Sequence, residues 1–412
     1  MTREYPVVVT GGSGCLGQHL IKLLQTNADH VTEIRVLDAI PYENKLGHKE
    51  AKPVISMCGD VTNTDLLRRA FRGAKSVFHL ASLVSVGSFP DNQAMERINV
   101  KGHKEAKPVI SMCGDVTNTD LLRRAFRGAK SVFHLASLVS VGSFPDNQAM
   151  ERINVKGTRQ VIDACIKEGV ECLIYCSTVE VVLGFDDIVD GTEDNMKPPK
   201  TYFHEGYAKT KLQAESMVLQ ENDCQLDTGG VLKTAALRPY VFYGELDRHY
   251  VTQLMKVVKR TAGILIQTGN GKALHQHAYV GNNAWAFICA EKAVRTNPAA
   301  AGEAYFITDD TPVSDIYSQV IPFLAEKGIR PSSIRFPFWM MFVLLYLAEC
   351  LLFLLSPVIK IDIGVSSSAL RFANTTIKLS NVKARTLLNY TPLFSVEESF
   401  RNARAYYRDV QI

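Results

Sequence analysis

No two cysteines of this chain form a CxxC pair, and none joins histidine at zinc-site spacing, although there are nine of them. That excludes a paired-thiol redox motif and a zinc module, and predicts buried reduced thiols. The first residues lack the basic, apolar and small-residue succession of a signal peptide; an apolar run, YPVVVT, begins by Tyr5. No Lys/Arg cluster is interleaved with aromatics, so there is no nucleic-acid footprint. These absences predict a reducing compartment, a catalytic part facing the cytosol or an equivalent space, no metal and no nucleic-acid partner.

What the chain does have, unusually, is the same segment twice. His48–Gly102 and His103–Gly157 are identical over 55 residues. Undrifted copies inside unique sequence indicate a recent in-frame duplication rather than a solenoid, whose repeats drift. One copy carries eight Lys/Arg against five Asp/Glu, so the net charge of +4 falls to about +1 for a single-copy chain of 357 residues (412 minus 55). Length and a 46% apolar composition allow one large or two medium domains.

The order of elements predicts an α/β, Rossmann-type doubly wound parallel sheet. Tyr5–Thr10 reads as a strand, a glycine cluster follows, Leu16–Leu24 is amphipathic, and Ile34–Leu37 is a second strand ending at Asp38. Each repeat copy supplies strand PVISM, turn CGD, helix TDLLRRAF, strand SVFHLA and the start of a helix. Only the second copy runs on into Thr158–Glu168. Leu173–Ser177 and Thr234–Leu237 are further strands. The division expected is a nucleotide-binding domain over 1–239, including the duplicate, and a smaller mixed α/β substrate domain over 240–412. One copy is expected to fit the sheet. The unbroken helix into Thr158 favours the second for the fourth strand, while the third strand can come from the first.

Thr10-Gly11-Gly12-Ser13-Gly14-Cys15-Leu16-Gly17 lies between strand and helix, where glycines permit a tight turn and close approach to a pyrophosphate. Asp38 ends the next strand, where a carboxylate accepts both ribose hydroxyls and repels a 2′-phosphate, favouring NAD over NADP. Tyr207 and Lys211 share one helix face, and Tyr207 is the only tyrosine with lysine four residues on. An ammonium near a phenol stabilises the phenolate and suits it to exchange a proton near neutral pH. Ser177 and Thr178 add hydroxyls at a strand end.

These residues resemble the extended short-chain dehydrogenase/reductases, through TGGSGCLG, Asp38, GDV, CSTVEV, YAKTK and LRPYVFYGE. Within that superfamily IRVLDA, NVKGT, YVGNNAWA, YFITDDTP, LLFLLSPV and LSNVKARTLLNYTPLFSVEESF resemble the 3β-hydroxysteroid dehydrogenase/Δ5–Δ4 isomerase family. The resemblance implies Tyr207 as acid/base, Lys211 as its partner and a contact to the nicotinamide ribose, and Thr178 with Ser177 beside them. It implies cofactor contacts from Gly11, Gly14, Cys15, Leu16, Gly17 and Asp38. From the repeat it implies Asp115, Val116 and Ala136, in preference to their duplicates Asp60 and Ala81. Asp309 and Asp310 match an acidic pair suspected in isomerisation, with a helix N-cap as the alternative. The activity implied is NAD-dependent oxidation of a 3β-hydroxysteroid with Δ5-to-Δ4 isomerisation. A sterol-4α-carboxylate 3-dehydrogenase and, of another class, a non-catalytic NAD-binding relative or an isoform inactivated by the duplication stay open, and a homodimer is compatible.

Phe336–Val358 is a run of 23 residues with one charge, Glu349. As a helix it measures roughly 34 Å, enough to span a bilayer. The closing NVKARTLLNYTPLFSVEESF resembles part of the same catalytic fold, so the run is expected to embed and return, bracketed by Pro337 and Pro357. Membrane lipid is thus an expected partner. Endoplasmic reticulum and mitochondrial membrane both suit the resemblance.

Overall fold

The computed structural model describes residues 5–38, 40–58, 69–80, 83–85, 119–141, 145–260, 262–355 and 364–412. Strand β1 (Tyr5–Thr10) buries Val7, Val8 and Val9, because both faces of a parallel sheet are covered. Helix α1 (Cys15–Asn27) crosses over to β2 (Val31–Asp38), and β3 (Val54–Cys58) pairs parallel beyond it. Then come β4 (Ser76–His79) and the short β5 (Leu83–Ser85), α2 (Thr119–Phe126), β6 (Ser131–His134) and β7 (Leu138–Ser140). Helix α3 (Gly157–Glu168) continues a helical stretch from Asn147 and stops at Gly169, whose φ of 74° caps it in the left-handed region. Strand β8 (Cys172–Cys176), α4 (Glu205–Gln220), β10 (Lys233–Pro239), α5 (Val280–Thr296) and β14 (Glu303–Ile307) complete the central layer; β9 (Ile188–Gly191) lies between β8 and α4.

The central sheet has eight parallel strands in the order β14-β10-β8-β6-β4-β1-β2-β3. Val7, Val9, Phe78, Phe133, Ile174 and Leu237 face α1 and α5. Val8, Val77, Val132, Leu173 and Ala236 face α2, α3 and α4. The result is the three-layer α/β/α sandwich expected, with β14 and α5, from beyond residue 240, closing one edge.

The repeat departs from expectation. Both copies of SVFH enter the sheet, side by side and in parallel, with Ser76 opposite Ser131 and His79 opposite His134. The third strand comes from the first copy, as β3. A sheet accepts the second copy because a parallel strand pairs with an identical neighbour in register, like on like. Phe78 stacks on Phe133 with centroids 4.0 Å apart and planes 11° from parallel. Short β5 and β7 repeat the pairing, Leu83 opposite Leu138.

The C-terminal region returns to this body. Strand β16 (Ile377–Leu379) pairs with β9, and the closing helix buries Tyr407, whose hydroxyl donates to Asp247. The apolar run forms α6 (Phe338–Leu355), a shorter helix than the 336–358 span, lying wholly outside the packed core and long and apolar enough to cross a membrane.

Candidate active site

The glycine loop is shaped by contacts that leave no room for side chains. Gly11 has φ +73°, and a Cβ on Gly12 would stand 2.5 Å from Val36 Cγ1. A Cβ on Gly17 would stand 2.4 Å from the Gly11 carbonyl, so only glycine lets α1 sit this close to the loop. Gly14 occupies the N-cap of α1 with no side-chain cap, which leaves the helix's first N–H groups toward the loop. Asp38 is tied to the same loop: its carboxylate accepts from Ser13 N at 2.9 Å and Ile40 N at 3.2 Å. Cys15 turns its thiol to the Glu245 carbonyl, and Leu16 packs against the core. The loop and Asp38 thus fit an adenosine-pyrophosphate group, with the backbone of Gly14 to Gly17 toward its charge.

The second half of the site lies at the β8 end. Lys211 is 1% exposed; its ammonium donates to the Cys176 carbonyl at 2.5 Å and sits 4.3 Å from the Tyr175 ring centroid. Burial lowers its pKa to about 8, against the opposing pull of Cys176 and Glu215. Tyr207 is buried on the same face of α4. Burial, then the charges of Glu180 and Cys176, push its phenol well above the usual value, and a hydrogen bond with Ser137 works the other way. Ser177 Oγ is buried without a protein partner among the described residues, a hydroxyl free to meet a ligand oxygen. Thr178 instead caps the following turn, accepting from Glu180 N at 3.3 Å.

Three contributors have roles that no motif discloses, although Asn154 stands in NVKGT and Glu180 in CSTVEV. Ser137, from the second copy, meets Tyr207. Asn154, also from the second copy, clamps the Leu138 backbone through both its amide atoms and donates to Thr210 Oγ1, which fixes the turn bearing Ser137 against α4. Glu180 holds His204 Nδ1 at 2.9 Å. Burial opposes the imidazolium, but Glu180's charge and hydrogen bond outweigh it and raise the His204 pKa. Beneath the site Arg238 and Glu215 form a buried two-bond pair that locks α4 onto β10. None of these has a spacing signal, because each is brought in by a separate element.

The other expected residues fall elsewhere. Ala136 is buried just beyond β6. Asp115, Val116, Asp60 and Ala81 lie outside the described residues. Asp309 is buried, and its two oxygens accept from Tyr279 N, Asn282 Nδ2 and Thr311 N at 2.8–3.0 Å. Asp310 is exposed and paired with Arg385 at 2.6 Å. This pair is therefore engaged in holding the fold, one residue as a backbone anchor and the other in a surface ion pair.

An open cleft of ≈ 450 Å³ lies where α6 leaves the body, lined by Phe185, Phe338 and Phe342 together with the polar Asp186, Asp187, Arg371, Asn374 and Thr375. A line of aromatic contacts leads inward from it: Phe185 on Phe203, Phe203 on Phe372, Phe372 on Tyr240. The line ends at Tyr240, whose hydroxyl is hydrogen-bonded with His275 Nδ1 at 2.9 Å and whose pKa is raised by burial and then by the charge of Glu180, which also acts on Tyr207.

A glycine-rich strand–helix turn with a strand-end aspartate, beside a buried Tyr/Lys pair on one helix, defines a dinucleotide-dependent dehydrogenase of the short-chain type. The sequence profile of the 3-beta hydroxysteroid dehydrogenase/isomerase family matches residues 8–113 and again 104–338, and the chain belongs to that family. The two matches meet inside the repeat. The chain is 28% identical over 401 residues to the mouse (Mus musculus) protein "3 beta-hydroxysteroid dehydrogenase type 7", covering 95% of this chain and 92% of that one. Solved structures share the fold. An epimerase, Mth375, from Methanothermobacter thermautotrophicus superposes with a TM-score of 0.58 at 18% identity, over 98% of this chain and 93% of that one. MoeE5 in complex with UDP-glucuronic acid and NAD gives 0.56 at 20%, over 98% and 99%.

Proposed function

We propose that this site is built to oxidise the 3β-hydroxyl of a steroid with NAD, followed by migration of the Δ5 double bond to Δ4. The observation that carries the reading is that Tyr207 and Lys211 lie buried one turn apart on α4, with Lys211 on the Cys176 carbonyl next in sequence to Ser177, whose buried hydroxyl has no partner among the described residues. NAD(H) is the cofactor, and when bound it supplies the hydride acceptor. The glycine loop and Asp38 hold its adenosine side. Tyr207 takes the proton from the substrate hydroxyl as C3 gives up its hydride, leaving a C3 carbonyl. We assign Lys211, charged below pH about 8 and held on the Cys176 carbonyl, to stabilising the phenolate against the burial that raises the Tyr207 pKa, and Ser177 to donating to the carbonyl oxygen as it forms. Glu180, paired with His204 but with its charge felt at Tyr207, is the carboxylate we assign to the C4-to-C6 proton transfer, since Asp309 is taken up by three donors of the fold and Asp310 is exposed in an ion pair with Arg385.

A steroid partitions into lipid, and the cleft at the base of α6 opens an aromatic path from that helix toward Tyr207. We place α6 in one face of a membrane, with the C-terminal region on the same side as the N-terminal one. Glu349, the only charge in α6, accepts from Ser367 N at 2.9 Å and Ser367 Oγ at 2.5 Å, which offsets much of its desolvation there. The test, made on the 357-residue single-copy chain, is NADH formation with a 3β-hydroxy-Δ5-steroid, together with conjugated-enone absorbance. Tyr207→Phe is expected to abolish both signals; an unchanged rate in that variant would refute the assignment.

A further inference from the structure

The repeat has divided one strand's duties between two. In the doubly wound arrangement a single strand separates the glycine-loop strand from the strand bearing the catalytic hydroxyls, and a dinucleotide lies across that junction. Here two strands stand between β1 and β8. The first copy completes the nucleotide half: Leu80 N donates to the Thr10 carbonyl, and His79 Nδ1 meets Thr10 Oγ1 at 2.8 Å. The second copy completes the catalytic half: Ser137 meets Tyr207, Asn154 reaches Thr210, and His134 Nε2 meets Thr158 Oγ1 at 3.0 Å. Between them Leu135 N donates to the His79 carbonyl, as Leu80 N does to Thr10.

We infer that the extra strand separates the adenosine and nicotinamide halves of the cofactor site, so that the full chain holds the ADP-ribose part of NAD without seating its nicotinamide at Tyr207. One strand adds about 4.8 Å across the sheet. A catalytic geometry that can lose about 10²-fold from ~1 Å of misplacement does not tolerate that. Among the described residues both half-sites keep their parts: the loop keeps its glycines and Asp38, and α4 keeps Tyr207, Lys211 and Ser137 in place. This inference rests on NAD as the cofactor and on Tyr207 as the proton acceptor.

The test compares the full chain with the 357-residue chain lacking 103–157, which is the same sequence whichever copy is removed. ADP-ribose is expected to bind both within about threefold. NADH bound to the single-copy chain is expected to show the blue-shifted, enhanced emission of an enclosed nicotinamide, whereas NADH bound to the full chain emits as in solution. Steroid oxidation is expected to be at least about 10²-fold faster in the single-copy chain. A second variant, Val77→Pro, bars β4 from the sheet centre while leaving β6 intact, and is expected to move the full chain toward the single-copy behaviour if folded by circular dichroism. Equal emission and equal turnover in the full and single-copy chains overturn the inference. If neither chain oxidises steroid but the NADH emission still separates them, the divided site stands and the steroid reading falls.

Discussion

His79 and His134, the same residue in two copies, lie face to face with ring centroids 6.1 Å apart and planes 10° from parallel. Each keeps one buried ring nitrogen without a partner among the described residues, Nε2 in His79 and Nδ1 in His134. His79 uses Nδ1 toward β1 and His134 uses Nε2 toward α3. A single histidine with both neighbours would satisfy both nitrogens. The duplication therefore leaves two half-satisfied rings where one strand supplies one full bridge.

Acid stability follows from this pair. Burial lowers His79 to about 4, and burial with the charges of His79 and Lys211 lowers His134 well below the usual range. An unfolded histidine takes its proton near pH 6.5, so between about 6.5 and 4 the unfolded chain binds more protons. Stability is therefore expected to fall as pH drops through that window and to be level in this respect above it. Urea midpoints across pH check the slope. At pH ~5 the single-copy chain should take up about one proton fewer on unfolding.

Lys211 sets the alkaline limit of the chemistry. Its ammonium is lost above pH about 8, because burial disfavours the charge. In the single-copy chain, kcat for steroid oxidation is expected to fall above that pH. Lys211→Arg should push the limb upward, since guanidinium stays charged. Lys211→Met should cost about 10²-fold or more in kcat. A pH–rate profile of the three proteins reads this directly.

Asp309 and Asp310 should separate cleanly. Asp309→Ala strands three donors, Tyr279 N, Asn282 Nδ2 and Thr311 N, and is expected to cost roughly 3 kcal/mol of stability. Asp310→Asn breaks an exposed ion pair worth about 0.2–1 kcal/mol and should leave the isomerisation rate unchanged. Glu180→Gln is expected to lower isomerisation. Enone absorbance measured from a Δ5-3-ketosteroid isolates that step.

Glu349 links the apolar helix to the returning chain. Glu349→Leu removes the acceptor for two Ser367 donors and should lower stability by about 1–2 kcal/mol in detergent while strengthening vesicle binding. Flotation with neutral phosphatidylcholine vesicles checks the binding, and a variant lacking Phe338–Leu355 should remain unbound.

Much of this was legible as local pattern. The β-branched run at Tyr5–Thr10, the glycine loop, Asp38 and the Tyr207–Lys211 spacing each encode their own geometry, and each stands where its pattern predicts. Asn154 and Glu180 stand in the motifs NVKGT and CSTVEV, but their roles, like that of Ser137, were not legible, because they arise only when β6, the helical stretch from Asn147 and the turn after β8 meet α4. The fate of the repeat was misread for a physical reason. The expectation of one docked copy treated strand places as fixed, whereas a parallel sheet widens wherever an in-register neighbour can supply the ladder and stack Phe on Phe. Both copies' GDV turns lie outside the described residues, so their share in binding adenine stays a sequence expectation.

The most direct test of the divided site is a single-turnover measurement of NADH formation with saturating NAD and a 3β-hydroxy-Δ5-steroid, on the full chain and on its 357-residue single-copy counterpart. The account predicts hydride transfer at least about 10²-fold slower in the full chain, with ADP-ribose affinity nearly the same in both. Equal rates of hydride transfer would contradict it.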